Sequence, residues 1–220
     1  MIYLELVNEK TFKKVVDMQL DKEQKKLVAP NVVSLAQAWL YYDEAKPYAI
    51  LNDNRVVGFM MLDWDEKERT VGLWRFMIAK EEQGKGYGKE AVKAFLDLVK
   101  KEKIFDIVFL DYVKGNTVAR NLYASFGFLE NGDIEDGEIV MTLPLTDSPK
   151  VGYTIADMDD LNELLNISSD IKKEDLKDAI LHNEVKRYTI LGKAIGFTIK
   201  EKLFIDEKFI DRRKEIMEII

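Results

Sequence analysis

The chain contains no cysteine. That excludes a disulfide framework, a thiolate metal site and a cysteine nucleophile. A single histidine, His182, leaves no material for a histidine-based triad or a zinc cluster, so no metal site is expected. No apolar run approaches the ~18 residues of a membrane span. No cationic leader followed by an apolar stretch opens the chain, and a cytoplasmic location without membrane contact is the expectation. Positive charge is in deficit too: 33 Lys and Arg face 40 Asp and Glu, a net charge of −7. With no basic stripe and no recognition motif, a nucleic-acid partner is not expected, whereas a cationic ligand suits the charge balance. What remains is ordinary globular material. A 47% hydrophobic content can build a core, and 220 residues allow one large domain or one domain with a small addition.

The most informative stretch is Gln83-Gly84-Lys85-Gly86-Tyr87-Gly88. It follows an apolar run, Val71–Ile78, and opens an amphipathic segment from Lys89, with Ala91, Val92, Phe95, Leu96 and Val99 at helical spacing. Strand, glycine turn and helix in that order present several free N–H groups to one anion. Gly86 and Gly88 permit positive φ and close approach of a phosphate. A dinucleotide fingerprint fails because the glycines alternate at 84, 86 and 88. A P-loop fails because Glu90 follows Gly88-Lys89.

The turn resembles Gln/Arg-x-x-Gly-x-Gly/Ala, the pyrophosphate-binding signature of the GNAT N-acetyltransferases, with Gln83, Gly86 and Gly88 in its fixed positions. Asn116-Thr-Val-Ala-Arg-Asn-Leu-Tyr123-Ala-Ser-Phe-Gly127-Phe128 is similar to the second signature of that family. Val28-Ala-Pro-Asn-Val-Val-Ser-Leu-Ala-Gln-Ala-Trp39 resembles the bacterial spermine/spermidine (diamine) acetyltransferases. The resemblance spans about residues 1–145 and implies a GNAT fold: α+β, a mixed, mostly antiparallel sheet flanked by helices.

The periodicities agree with that order. Ile2, Leu4 and Leu6 alternate as a strand, and Asn8 opens a helix through about Leu20 with Phe12, Val15, Val16 and Leu20 on one face. Pro30-Asn31 restarts a helix with Val33, Leu35, Ala36, Trp39 and Leu40 on its apolar side, and Pro47 ends it. Asn52-Asp53-Asn54 joins two strands as a hairpin. Later come a strand over Asp106–Tyr112, a helix over Thr117–Phe126 closed by Gly127, and a final strand over Glu138–Leu143.

The resemblance implies acetyl transfer from acetyl-CoA, with no metal, to a primary amine of a small molecule. Gly84 to Lys89 supply N–H donors for the pyrophosphate, with Lys85 and Lys89 as added point charges. A main-chain N–H around Phe76-Met77-Ile78 is expected to meet the developing oxyanion. Tyr123 occupies the family's acid position; a phenol of pKa about 10 can donate to a departing thiolate. Asn116 caps its helix and can reach the pantetheine arm, and Arg120 one turn later joins the cofactor set. The animal-type polyamine enzymes carry a Glu where Trp74 stands, so that base is absent. Asp111, Asp63 and Glu81 are the remaining candidates. Trp39, Tyr42 and Trp74 can line an amine channel by cation–π contact, and Asp43 and Glu44 can attract its far cationic end. Other acceptors (an amino acid, an aminoglycoside, a protein amine) and a silent acyl-CoA sensor stay open.

Leu145–Pro149 reads as a linker, and residues 150–220 echo the first half. Tyr188–Leu191 and Ala194–Ile199 resemble Tyr48–Leu51 and Val56–Met61. If they form a degenerate partial repeat, Asp211, Arg212, Arg213 and Lys214 stand where the glycines would, and no second cofactor site is expected. An unrelated hairpin plus helices is the alternative. The segment is expected to pack, to dimerise the chain or to cover the substrate entrance.

Overall fold

The computed structural model describes residues 1–219. The chain divides into two units, residues 1–65 with 71–145, and residues 66–70 with 146–220. Among the described residues no helix is long and apolar enough to cross a membrane.

The first unit runs β1 (Ile2–Leu6), α1 (Phe12–Val16), α2 (Asn31–Leu40), β2 (Ala45–Asn52), β3 (Arg55–Asp65), β4 (Thr70–Ile78), α3 (Tyr87–Glu102), β5 (Ile107–Val113), α4 (Thr117–Ala124), β6 (Leu129–Glu135) and β7 (Glu138–Pro144). Its sheet has the order β1-β2-β3-β4-β5-β7-β6. Strands β1, β2 and β3 are antiparallel neighbours, as are β5, β7 and β6. Neighbouring β4 and β5 are joined through α3, the crossover connection that a parallel pair requires.

Two apolar layers cover the sheet. Ala91, Val92, Phe95, Leu96 and Val99 of α3 pack with Ile50, Met60, Leu62, Val71, Leu73, Val108 and Leu110 on one face. On the other, Val15 and Ala38 pack with Ala49, Phe59, Met61 and Met77. These memberships locate two breaks in strand alternation. In β3, Val57 faces the α3 layer and so does Met60, which matches the register shift between Ile50 and Leu51 of β2. In β4, Leu73 faces the α3 layer, Trp74 the other, yet Phe76 faces α3 again. One extra residue, Arg75, therefore sits in β4, as in a β-bulge that re-aims the side chains after it.

Several expectations needed correction. The first helix is only Phe12–Val16 and leaves Phe12 exposed. Helix α2 buries Asn31, Ser34 and Ala38, while Val33, Trp39 and Leu40 face outward. Small residues spaced 31, 34, 38 let the helix lie close on β2, a signal that hydrophobicity alone hides. Pro47 does not end that helix, which stops at Leu40. It lies within β2, opposite Met61, and its carbonyl accepts from Val7 N. Strand β6, Leu-Glu-Asn-Gly-Asp-Ile-Glu, was not anticipated, because an edge strand with both faces largely exposed shows no apolar alternation. Its turn, Asp136-Gly137, with both residues at positive φ, was the readable signal.

The second unit runs β8 (Gly152–Ile155), α5 (Leu161–Ile167), α6 (Lys173–Leu181), β9 (Val185–Ile190), β10 (Lys193–Ile199), β11 (Lys202–Ile205) and, after a 3₁₀ stretch, α7 (Arg213–Ile219). Its sheet is antiparallel in the order β11-β10-β9-β8. Helices α5 and α6 cover one face with Leu161, Leu164, Leu176 and Ile180, and Ile216 of α7 covers the other beside Tyr188 and Ile195.

Candidate active site

The end of β4 leads through a 3₁₀ turn, Lys80–Glu82, into the glycine turn. Gly86 precedes α3 at φ +84°, in the left-handed region where a side chain costs about 1–2 kcal/mol. A Cβ built on Gly84 or Gly86 meets nothing within 4 Å, so the turn borders open space. Gly88 is different: it is helical, and its Cβ would stand 3.8–4.0 Å from Ile78, Leu122 and Phe76. Lys89 and Glu90 are the first helical donors, both to Gly86 O. The amides before them are left for an anion, with the helix dipole behind them.

What braces this turn was only partly visible in the sequence. The Glu82 side chain is 5% exposed and held by Arg55 at 2.5 Å and Lys85 at 2.9 Å. Gln83 donates to Ile78 O at 2.9 Å and exchanges amide hydrogen bonds with Gln24 at 2.9 and 3.2 Å. That pair ties the Leu20–Pro30 segment to the turn. The Tyr87 hydroxyl accepts from Asn52 Nδ2 at 3.0 Å.

A cavity of about 930 Å³ opens beside the turn. Its walls include Gln83, Gly84, Gly86, Tyr87 and Gly88, the strand end Trp74–Ile78, the Leu20–Pro30 segment, and Asn116, Leu122 and Tyr123. Asn116 Oδ1 accepts from Ala119 N at 3.2 Å and so caps α4. Helix α4 in turn carries Tyr123 into the cavity wall, its ring edge-on to Phe128 at 6.0 Å. Burial, and then the Asp111 charge, push the Tyr123 phenol well above its ordinary pKa, so it stays neutral.

Asp111, Glu138, Trp74 and Arg75 also line the cavity. In the β5–β7 register Asp111 opposes Val140 and Val113 opposes Glu138. The two carboxylates therefore share one face, diagonally placed. Burial, with the Asp111 charge and hydrogen bond, raises the Glu138 pKa, while Arg75 opposes the shift. Arg75 donates to Trp74 O at 2.8 Å and lies 5.2 Å from the Trp74 ring centre.

Twelve of the anticipated residues thus line one cavity: Phe76, Met77, Ile78, Gln83, Gly84, Gly86, Tyr87, Gly88, Asn116, Tyr123, Asp111 and Trp74. The others do not. Lys85 is engaged by Glu82, Arg120 is paired with Glu130 at 2.6 Å, and Lys89 lies outside the wall. Trp39, Tyr42, Asp43 and Glu44 follow the exposed side of α2 and the turn after it. Arg75, Glu138, Glu82 and Gln24 were missed. A charged residue beside a strand turn has no pattern that separates it from solvated surface.

The Acetyltransferase (GNAT) family profile matches residues 14–128. A probable spermine N(1)-acetyltransferase of Bacillus subtilis subsp. natto is 32% identical over 140 residues, 60% of this chain and 90% of that protein. The spermine/spermidine N(1)-acetyltransferase of Bacillus subtilis strain 168 is 31% identical with the same coverage. Among solved structures, a spermidine N-acetyltransferase from Vibrio cholerae in complex with CoA and spermine superposes with a TM-score of 0.55 at 16% identity, covering 65% of this chain and 95% of that one. An aminoglycoside acetyltransferase in complex with coenzyme A gives 0.56 at 16% identity, covering 66% and 95%. The order of strands around the glycine turn, the cavity and the matching profile lead to one assignment: the chain belongs to the GNAT family and is an acetyltransferase.

Proposed function

We propose that the protein transfers the acetyl group of acetyl-CoA to a primary amine of spermidine, spermine or a similar small polyamine. One observation carries this reading. A single cavity is lined by the glycine turn, by the carboxylate pair Asp111 and Glu138, and by Tyr123. The glycine turn suits a pyrophosphate and the carboxylates a protonated amine. The names of the two Bacillus relatives support the same acceptor class.

Acetyl-CoA fits the residues present: the open cradle at Gly84 and Gly86, free amides at the start of α3, and Asn116 beside the channel. When bound it supplies an activated acetyl thioester. The chain's own part is to orient and to stabilise charge. The bulge at Arg75 interrupts β4 next to Phe76–Ile78, where a main-chain N–H can meet the carbonyl oxygen. Tyr123 is held neutral, so it acts as a hydrogen-bond donor to the leaving sulfur. Complete transfer of its proton to a thiolate of pKa about 8.5 is uphill.

Release of CoA thiol, measured against spermidine, spermine, putrescine, lysine and an aminoglycoside, tests the proposal. Selective turnover of the polyamines is expected. Tight acetyl-CoA binding with no turnover of any of them would overturn it.

We also propose that the second unit repeats the first half of the first. Its order β8-α5-α6-β9-β10-β11-α7 repeats β1-α1-α2-β2-β3-β4-α3. Both copies shift register just before a glycine, Gly58 and Gly196, whose missing Cβ would stand 2.6 and 2.8 Å from a carbonyl of the next strand. Ala79 N donates to Val57 O, and Asp206 N to Ile195 O, each at 2.9 Å. This alignment sets Asp211, Arg213 and Glu215 at the places of Gly84, Gly86 and Gly88. Arg213 has φ −53°, and the Glu215 carboxylate accepts from Val151 N at 2.8 Å. The anion turn is lost, and this copy holds no CoA.

A further inference from the structure

We propose that Glu138, which the sequence did not single out, is the catalytic base: it takes the proton of the acceptor ammonium and passes its hydrogen bond to Asp111. The inference rests on the reading that the acidic residues of the cavity receive a protonated amine. Geometry carries it. Glu138 and Asp111 come from adjacent strands, lie diagonally on one face and both line the cavity that Tyr123 borders.

An aliphatic ammonium of pKa about 10 has no lone pair and cannot attack a carbonyl. In the step proposed, an N–H bond of the ammonium breaks and an O–H bond forms on Glu138. The nitrogen keeps the electron pair, which then forms the bond to the acetyl carbon; the C–S bond breaks with its pair on sulfur, and the sulfur takes the second proton of that nitrogen, so that a neutral amide and CoA thiol leave. The protonated Glu138 donates to the Asp111 carboxylate, which lowers the cost of holding the proton, and it returns the proton to solvent after acetyl transfer. A pair of this kind accepts one proton more readily than either carboxylate alone, because the second charge favours neutralising the first.

The charged groups facing Glu138 point the same way. Asp111 comes from β5, Glu135 stands directly opposite on β6, and Asp136 lies in the connecting turn. Arg75 of β4 is the opposing cation. Burial together with Asp111, Asp133 and Asp136 also raises Glu135, so the neighbourhood as a whole favours the protonated form. Arg75 is the cation that opposes this trend at Glu138.

The test is the pH profile of kcat/KM for spermidine in the wild-type protein, Glu138→Gln and Asp111→Asn, with acetyl-CoA affinity measured in each. The wild type is expected to be flat over pH 7.5–9. Glu138→Gln can use only amine already neutral in solution, so its kcat/KM should fall about 10²–10³-fold near pH 7.5 and recover about tenfold per pH unit toward the amine's own pKa near 10. Acetyl-CoA affinity should not change, and Glu138→Asp should restore part of the activity. Asp111→Asn should fall less and keep the flat region at a shifted position. A Glu138→Gln profile that superimposes on the wild type overturns the base while leaving polyamine acetylation intact. A wild-type protein that binds acetyl-CoA but acetylates no amine overturns both.

Discussion

Glu82 and Arg55 meet at 2.5 Å at the foot of the glycine turn, the carboxylate almost wholly buried and the guanidinium half in solvent. The link fastens the turn to the start of β3, and Glu82 itself borders the cavity. Arg55→Ala would leave a buried carboxylate with Lys85, at 2.9 Å, as its ion-pair partner. A cost of about 1–3 kcal/mol follows for an incompletely compensated buried acceptor. The expected outcome is a lower melting temperature together with weaker acetyl-CoA binding, read by thermal unfolding with and without acetyl-CoA. Unchanged affinity would show that the turn holds its shape without this ion pair.

Much of the first unit was legible, for two reasons. The glycine turn and the Asn116–Phe128 segment combine residue types that backbone geometry demands, positive φ at Gly86 and a side-chain cap at Asn116. The strands around them are buried on both faces and read as apolar runs. The illegible parts fail in physical terms as well. Helix α2 packs through Asn31, Ser34 and Ala38, so its contact face carries little hydrophobic signal. Strand β6 is an exposed edge. Glu138 and Arg75 become meaningful only when register and a bulge bring them beside Asp111, and neither is a property of local sequence. The repeat proposed above aligns two residues away from the echo read in the sequence. Its hairpin pairs Tyr188 with Gly196, and the first hairpin pairs Ile50, not Tyr48, with Gly58.

Gly86 and Lys85 are adjacent, yet substitutions there should have opposite weights. Gly86→Ala places a Cβ on a left-handed backbone at φ +84° and forces the turn to strain by about 1–2 kcal/mol or to change shape. Acetyl-CoA affinity should fall about tenfold or more by titration calorimetry. Lys85→Ala removes a cation already engaged by Glu82, and its effect should stay within about threefold at moderate salt. A larger loss for Lys85→Ala would mean that the ammonium leaves Glu82 for a phosphate when the cofactor binds.

Tyr123→Phe should lower kcat about 10-fold to 100-fold, the range of one lost hydrogen bond to a developing charge, and leave acetyl-CoA affinity nearly unchanged. Because the phenol is pushed above its ordinary pKa by burial and by Asp111, its ionisation should add no alkaline limb to the wild-type profile below about pH 10. Unchanged kcat in the variant would remove Tyr123 from the chemistry.

Titration of the intact chain with acetyl-CoA should give one site. The second unit has a sheet and flanking helices in the right order, but Glu215 occupies the position of Gly88 and bonds Val151 N and Arg212. An anionic side chain at a helix start repels the pyrophosphate that a glycine would admit. A stoichiometry of two by calorimetry or intact-protein mass spectrometry would sink the account of a plugged copy.

Asp63 makes stability depend on pH in the direction opposite to most paired carboxylates. Burial, then the charges of Glu44 and Asp65, push its pKa up to about 6, against a partly opposing main-chain hydrogen bond at Trp64. Between the unfolded value near 3.9 and 6 the folded chain holds the extra proton, so this group's contribution is present at low pH and is lost as pH rises through about 6. Ionising it at neutral pH costs the fold on the order of 2–3 kcal/mol before any relaxation or screening. Asp63→Asn keeps the shape and removes that charge. At pH 7.5 the variant should melt several degrees higher than wild type, given roughly 2–4 °C per kcal/mol at this size. At pH 4.5 most of the difference should vanish, because the wild-type carboxyl is then already neutral. Equal stabilisation at both pH values would show that the gain comes from the amide's hydrogen bonds and not from the removed charge.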